Sequence, residues 1–230
     1  MRKVIVLTAL VLLPALSGPA KADLMAIWDF GPNAGDYTLQ PQDWYVDEEP
    51  TLIASGADYD TDGGNGVAYT DAAGNPHIAG QCVHWNDVSG TASDAEWIMT
   101  VNTTGWEDMR ISWDYLSDNT GNNWGPTSFD FAYRVGLAGS WVRIFNNRAI
   151  TRDDNWHVFS YDLSSITAIE GQSYVQFRAY DLNRADDDGD YKFDNLEMTG
   201  VPEPCSIALL GIGVLMALTR KRRSALKTEN

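Results

Sequence analysis

The sequence contains little lysine and little cysteine. Between residues 23 and 200 the only lysine is Lys192, and this segment holds 8 basic against 30 acidic residues, a net charge of −22. Phosphate binding requires clustered Lys and Arg, so this balance argues against nucleic acid as a partner. The two cysteines, Cys82 and Cys205, are too few for a disulfide scaffold, and no paired Cys/His spacing typical of a zinc site is present.

Residues 23–200 also lack an apolar repeat of helical period and length. They contain instead many Asp, Asn and Gly residues, which favour turns, and aromatic and β-branched residues, which favour strands. We expect an all-β fold, an antiparallel β-sandwich of jelly-roll type, with a hairpin at residues 136–140. The predicted strands cover residues 25–30, 96–101, 110–115, 129–135, 141–145, 156–161, 174–180 and 192–198.

The first 22 residues have the pattern of a secretory signal peptide. Arg2 and Lys3 precede an apolar run over residues 4–16, and Ala20-Lys21-Ala22 places small residues where a signal peptidase cuts. The alternative, a buried N-terminal helix, leaves this run without a polar face. We therefore expect residues 1–22 to direct export and residues 23–200 to form the β-sandwich domain.

Residues 201–230 begin with a Pro-Glu-Pro motif and end in a basic segment. The motif residues are Val201, Pro202, Glu203 and Pro204. The apolar run over 207–218 is short for a transmembrane helix, but Cys205, Ser206 and Thr219 extend it. We therefore expect a short transmembrane sorting helix whose end the basic cluster holds on the cytoplasmic side. That cluster consists of Arg220, Lys221, Arg222 and Arg223.

This order of features resembles the PEP-CTERM sorting signal of Gram-negative bacteria. The resemblance implies recognition by an exosortase-type enzyme and removal of the tail. It also implies an inner-membrane precursor that becomes extracellular or surface-bound, in association with exopolysaccharide or biofilm matrix. An ordinary tail anchor has the same topology but keeps the protein in the membrane.

A second resemblance covers residues 127–200, where strand-like segments end in Phe193-Asp194-Asn195-Leu196. Their order is similar to the jelly rolls of carbohydrate-binding modules and lectins. That resemblance implies extracellular polysaccharide or matrix proteins as partners. It also implies a structural calcium ion near the closing Asp-Asn strand, with Asp194 as a ligand.

Two acidic segments are candidate calcium sites. Asp58, Asp60 and Asp62 alternate before Gly63, as in Asp-x-Asp-x-Asp-Gly calcium loops, although Tyr69 stands where an EF-hand has its bidentate Glu. The second segment contains Asp186, Asp188 and Asp190 and follows no specific template. Calcium is therefore the expected cofactor, and solvated acidic turns are the alternative.

Aromatic side chains in polar segments are candidate sugar platforms, because a ring covers the apolar face of a sugar while amides bind its hydroxyls. Trp124 lies among Asn and Gly, and Trp44 and Trp85 are weaker candidates. Packing back onto the sandwich is the alternative. Four tryptophans in the predicted strands are expected in the core: Trp97, Trp113, Trp141 and Trp156.

No catalytic motif is present: the sequence has no Gly-x-Ser-x-Gly, no His-Glu-x-x-His and no nucleotide-binding glycine motif. We therefore expect a non-enzymatic protein. A secreted glycan hydrolase or lyase that uses a carboxylate pair is one alternative, and a purely structural matrix sandwich is another. A cleft with two carboxylates beside an aromatic ring favours the enzyme, whereas an open sheet face with an exposed Trp favours the binding protein.

Overall fold

The computed structural model describes residues 22–30, 41, 43–55, 59–62, 66–77, 79–80, 82–85, 95–120, 123–183 and 190–203. The cluster at 220–223 and nearly all of the expected signal peptide lie outside these ranges. None of the described segments is a helix long and apolar enough to cross a membrane. The described elements are β1 (Asp23–Trp28), β2 (Asp43–Trp44), β3 (Thr51–Ser55), β4 (Tyr59–Asp62), β5 (Tyr69–Thr70), β6 (Pro76–His77), β7 (Cys82–Trp85), β8 (Glu96–Val101), β9 (Trp106–Ser117), β10 (Asn119–Thr120), β11 (Asn123–Trp124), β12 (Ser128–Val135), β13 (Val142–Ala149), β14 (His157–Asp162), a 3-10 turn (Thr167–Ile169), β15 (Val175–Asn183) and β16 (Tyr191–Pro202).

Two antiparallel sheets contain the long strands. The seven-stranded sheet has the order β14-β9-β16-β1-β2, with β7 beside the first part of β16 and β4 beyond β7. The five-stranded sheet has the order β13-β12-β15-β8-β3. This arrangement confirms the all-β, antiparallel sandwich. It also confirms the β12–β13 hairpin and all eight predicted strands, although several boundaries differ by a few residues.

Aromatic rings from both sheets fill the core. Trp97 of the five-stranded sheet meets Trp113 of the seven-stranded sheet edge to face, with ring centroids 5.1 Å apart. Both are buried, as predicted. Such edge-to-face pairs add about 0.5–1.5 kcal/mol to the burial of the rings themselves. The prediction that Trp141 and Trp156 lie in the core is wrong, because each lies just before its strand and is only partly buried.

Four strands that the sequence patterns did not predict, β2, β3, β4 and β7, complete the two sheets. β3 forms one edge of the five-stranded sheet, and β7 pairs with the beginning of β16. All four residues of β7 are buried. Its sequence therefore lacks the polar–apolar alternation by which a half-exposed strand is predicted. Asp60 and Asp62 also lie in a strand, β4, opposite His84 and Cys82 of β7.

The β5–β6 hairpin is fastened to the seven-stranded sheet through His77. His77 Nδ1 lies 2.8 Å from Asp29 Oδ2, just after β1, and Nε2 lies 3.2 Å from Asp71 Oδ2 within the hairpin. Asn75 also binds Asp71, by its backbone N–H at 2.7 Å and its side-chain Nδ2 at 3.0 Å. Tyr69 stacks on the imidazole, with centroids 4.9 Å apart. His77 therefore bridges two carboxylates, one in the hairpin and one at the end of β1.

The charge of His77 makes this bridge dependent on pH. Burial lowers the pKa of His77, but the hydrogen bonds with Asp29 and Asp71 outweigh that effect, so its pKa is raised overall. A group whose pKa is raised on folding stabilises the folded state fully below its unfolded pKa of about 6.5. This stabilisation is lost as the pH increases through the folded pKa.

We predict that His77→Gln lowers the melting temperature more at about pH 6 than at about pH 9. Removing the cation that pairs with the buried Asp71 and the half-buried Asp29 costs about 1–3 kcal/mol, or several degrees in a domain of this size. Thermal unfolding of both proteins at each pH measures the difference, and other titrating groups are common to both. An equal loss at the two pH values would contradict the charged bridge.

Candidate functional site

A buried polar cluster lies where β16 passes under the segment before the β5–β6 hairpin. Asp194 is 1% exposed; its Oδ2 accepts the N–H of Val67 at 2.8 Å, and its Oδ1 accepts the N–H of Asn195 at 2.8 Å. Asn195 donates from Nδ2 to the carbonyl of Val67 at 2.8 Å and to Asp114 Oδ2 at 2.7 Å. The cluster thus joins β16 to β9 and to the covering segment.

Burial disfavours the ionised form of the carboxyl groups in this cluster. Burial raises the pKa of Asp194 to about 8, against the lowering effect of the N–H groups of Val67 and Asn195. Burial likewise raises the pKa of Asp114 and of Glu197, whose Oε1 accepts the N–H of Ala72 at 3.2 Å. A nearby cation lowers such pKa values and stabilises the ionised form.

The structure describes only some of the predicted calcium ligands. Asp58, Asp186 and Asp188 lie outside the described residues, as do the side chains of Asp60 and Asp62. Asp190 is partly exposed, with Oδ2 3.3 Å from His84 Nε2. Within the described ranges, no three His, Cys, Asp or Glu side chains are grouped so as to hold a metal ion. The described side chains alone therefore do not form a complete calcium site, and calcium binding stays a prediction.

The predicted aromatic platforms have different positions. The prediction that Trp85 forms a sugar platform is wrong, because its side chain is 0% exposed and packs on Tyr191 and Phe193. Its Nε1 donates to the Ser55 carbonyl at 3.0 Å. Trp44 is 42% exposed on β2. Trp124 lies in β11, opposite Asn119, but its side chain is not described.

The outer face of the five-stranded sheet presents an aromatic and cationic surface that sequence reasoning missed. Strict alternation places Phe129, Phe131 and Phe177 in the core, and the residues between them on the opposite face. On that face Arg134 pairs with Gln176, Ala132 with Arg178, and Asp130 with Tyr180. We call this surface the arginine face and define it by Arg134, Trp141, Arg143, Gln176, Arg178 and Tyr180.

Trp141 is the aromatic centre of the arginine face. The guanidinium carbon of Arg134 lies 4.7 Å from its ring centroid, and that of Arg178 lies 4.3 Å away. Arg178 also lies 3.9 Å from the ring of Tyr180. Each cation–π contact contributes about 0.5–2 kcal/mol and holds the guanidinium in a fixed orientation. Trp141 and Arg143 are two residues apart and therefore share a face of the strand, but Phe145, two residues further on, packs in the core, so the alternation alone did not locate this surface.

The charges of the arginine face are unevenly paired. Arg143 Nε lies 3.2 Å from the buried Asp130 Oδ2, with Asp181 nearby, and Arg178 Nη1 lies 3.9 Å from Glu96 Oε2. Arg134 Nε donates instead to the neutral amide oxygen of Gln176 at 2.5 Å. Three of the eight basic residues of the domain therefore lie on one face, together with a ring and an amide.

Two further features concern the enzyme alternative. A cleft of about 420 Å³ lies between β13 and residues 165–168, and its lining contains no Asp or Glu. Elsewhere a hydrogen bond with Asp118 raises the pKa of Asp154. Their carboxyl groups are therefore in contact, closer than the about 5–9.5 Å that separates the two carboxyl groups of glycosidases. Neither feature supplies the paired carboxylates that a hydrolase requires.

Comparisons with solved structures find distant structural similarities at low sequence identity. No family model matches the sequence, and no curated protein matches it. The structure is similar to the CBM22-1 xylan-binding domain of Paenibacillus barcinonensis Xyn10C, with 12% identity and a TM-score of 0.46 over 82% of this chain and 100% of that one. It is also similar to the CBM22-2 domain of that protein, with 11% identity and a TM-score of 0.41 over 76% and 98% of the two chains. A third similar structure is SGBP-B, from a xyloglucan utilization locus of Bacteroides uniformis, with 10% identity and a TM-score of 0.37 over 67% and 48%.

Proposed function

We propose that the chain is an exported, non-enzymatic protein whose sandwich domain binds extracellular polysaccharide on the arginine face. The observation that carries this proposal is Trp141, a partly exposed ring on an open sheet face with two guanidinium groups against it. Such a ring can cover the apolar face of a pyranose, while the guanidinium groups of Arg134 and Arg178 donate to its hydroxyl groups.

Replacement of Trp141 tests the location of the site. We predict that Trp141→Ala weakens binding to the recognised glycan about tenfold or more, because truncating a central aromatic anchor costs about 1–2 kcal/mol. Binding is measured by titration calorimetry on glycans selected from an array. Trp156→Ala serves as the matched control, since Trp156 is also partly buried but lies before β14 in the other sheet.

The same titrations distinguish this face from the other candidate platforms. If Trp141→Ala binds normally while Trp44→Ala or Trp124→Ala loses binding, the site lies at β2 or β11 and the arginine face is wrong. If no glycan on the array binds the unmodified protein, the structural-matrix alternative replaces the binding proposal. Melting temperatures of all variants show whether a loss of binding reflects unfolding.

Export and sorting belong to the same proposal. Residues 1–22 direct secretion, and an exosortase-type enzyme recognises the Pro-Glu-Pro motif, so that the domain reaches the surface or the exopolysaccharide matrix. One feature supports an accessible motif. Val201 and Pro202 complete β16 opposite Glu107 and Trp106, and the Glu203 N–H donates to the Gly105 carbonyl at 2.8 Å. The motif thus begins at the rim of the sandwich.

We predict that Glu203→Ala blocks removal of the tail in a host with an exosortase, because it removes the motif carboxylate while only the backbone of Glu203 donates to the domain. Intact mass of the membrane and medium fractions is the measurement. Glu107→Ala, opposite Val201 in β9, is the matched control and should be processed normally. Normal processing of Glu203→Ala, or an uncut tail in the unmodified protein, would favour the plain membrane anchor.

We also propose that calcium binds at the acidic segment formed by Asp58, Asp60 and Asp62, with Asp194 as a further ligand, and more weakly at Asp186, Asp188 and Asp190. Support comes from Val67, whose N–H and carbonyl are held by Asp194 and Asn195. This contact brings the chain just after the acidic segment to a buried carboxylate whose pKa is raised to about 8. Calcium prefers such carboxylate and carbonyl oxygens.

Calcium at about 100 times its Kd is expected to stabilise the fold by about 2.7 kcal/mol, which increases the melting temperature by roughly 5–10 °C. EDTA should reverse the increase, and the double variant Asp60→Asn/Asp62→Asn should abolish it. Asp47→Asn, at an exposed position outside the acidic segments, should retain it. A melting temperature that calcium leaves unchanged refutes the site.

A further inference from the structure

The positive charge of this domain is concentrated where the proposed ligand binds. The domain carries 8 basic against 30 acidic residues, yet three of the eight, Arg134, Arg143 and Arg178, belong to the arginine face. A neutral sugar does not require cations, because amides and hydroxyls bind its hydroxyl groups equally well. Placing arginines here in an otherwise acidic domain therefore points to a ligand with negative charge.

Arg134 has no carboxylate partner among the described residues. Its Nε donates to the neutral Gln176 side chain, and its guanidinium lies over Trp141. The charge of Arg134 is thus not neutralised by the groups that orient it. A guanidinium that is fixed by an amide and a ring, with its charge uncompensated, is well prepared to bind an anion.

Arg178 is the second incompletely paired cation. It lies between the rings of Trp141 and Tyr180, and its distance to Glu96 is 3.9 Å, longer than a hydrogen bond. Its Nε is buried and makes no hydrogen bond in the structure. The Arg178 side chain remains partly exposed, and its guanidinium has N–H donors besides Nε with which to bind an anion.

We propose that the polysaccharide bound on the arginine face is a carboxylated one, built from uronic acid residues, with Arg134 and Arg178 as the two carboxylate contacts. This inference rests on the proposed function and specifies its ligand. Guanidinium groups bind carboxylates through two parallel N–H···O bonds, and both cations contact the ring on which the sugar stacks. The net negative charge elsewhere repels the polyanion and so restricts it to this face.

The test compares two ligands with one backbone, polygalacturonate and its fully methyl-esterified form. We expect the unmodified domain to bind polygalacturonate at least tenfold more tightly than the ester in calorimetry. Only the binding of polygalacturonate should weaken as NaCl increases from about 0.05 M to about 0.5 M. EDTA is present throughout, so that calcium cannot bridge protein and polymer carboxylates.

Variants identify the cations. Arg134→Gln should weaken polygalacturonate binding about tenfold and the binding of the ester much less, because only polygalacturonate loses a charged contact. Arg134→Lys should weaken polygalacturonate binding less, because it keeps the charge. Arg110→Gln is the matched control: Arg110 is exposed on β9 of the other sheet, with Ser160 Oγ at 3.5 Å. It should bind both ligands normally. Circular dichroism and melting temperature verify that every variant is folded.

The outcomes separate this inference from the proposed function. Equal binding of the two ligands without salt dependence overturns the anionic ligand and leaves carbohydrate binding intact. The anionic ligand is also overturned if the domain binds only neutral glycans and if Trp141→Ala loses this binding while Arg134→Gln keeps it. Polygalacturonate binding that Arg134→Gln and Arg178→Gln leave unchanged also overturns it, because the carboxylates are then bound elsewhere. If the domain binds neither these ligands nor any glycan on the array, both proposals fail.

Discussion

The buried pair Asp194-Asn195 is the constraint on which the rest of the seven-stranded sheet depends. It forms a bulge in β16, where Asn195 adopts a φ of 49°, a left-handed conformation that Asn tolerates better than most residues. Before the bulge β16 pairs with β7, and after it with β1, while β9 continues along the other side. A carboxylate and an amide inside a sheet require partners, and Val67 and Asp114 satisfy them. The need to satisfy these polar groups thus fixes where two strands meet and where the covering segment lies.

The two outer faces of the sandwich differ in how their polar side chains are covered. On the seven-stranded sheet the polar groups of β16 and β9 are covered by the segment around Val67 and by the β5–β6 hairpin, and their carboxylates are desolvated. On the five-stranded sheet Asp130 and Gln176 are buried, whereas Arg134 and Arg178 stay partly exposed and contact the ring of Trp141. The first face contributes to the fold and to the proposed calcium site. The second is left available for a large ligand.

The sequence predicted the sandwich because its long strands alternate strictly. β8, β9, β12 and β15 each place aromatic or aliphatic residues on one side. This short-range pattern is sufficient to predict a strand with one buried face. It did not predict β7, whose two faces are both buried, nor the contact of Asn195 with Asp114, which are 81 residues apart. The arginine face was missed for another reason. Trp141 was assigned to the core, and Phe145, four residues later, does pack there on Phe131. A register shift between β12 and β13 separates Phe145 from Arg143 and Trp141, and no sequence pattern reveals it.

The position of β16 also determines how the domain responds to force. β16 lies in the interior of its sheet, with Gly200 beside Asp23 of β1 and Pro202 beside Trp106 of β9. Antiparallel hydrogen bonds run perpendicular to the strands, so a pull on the chain beyond Glu203 loads both ladders in shear rather than opening them one bond at a time. Before the tail is removed, a matrix bound to the five-stranded sheet while the tail is held in the membrane would therefore load both ladders of β16 in shear. The strand that organises the fold is also the one that would carry tension.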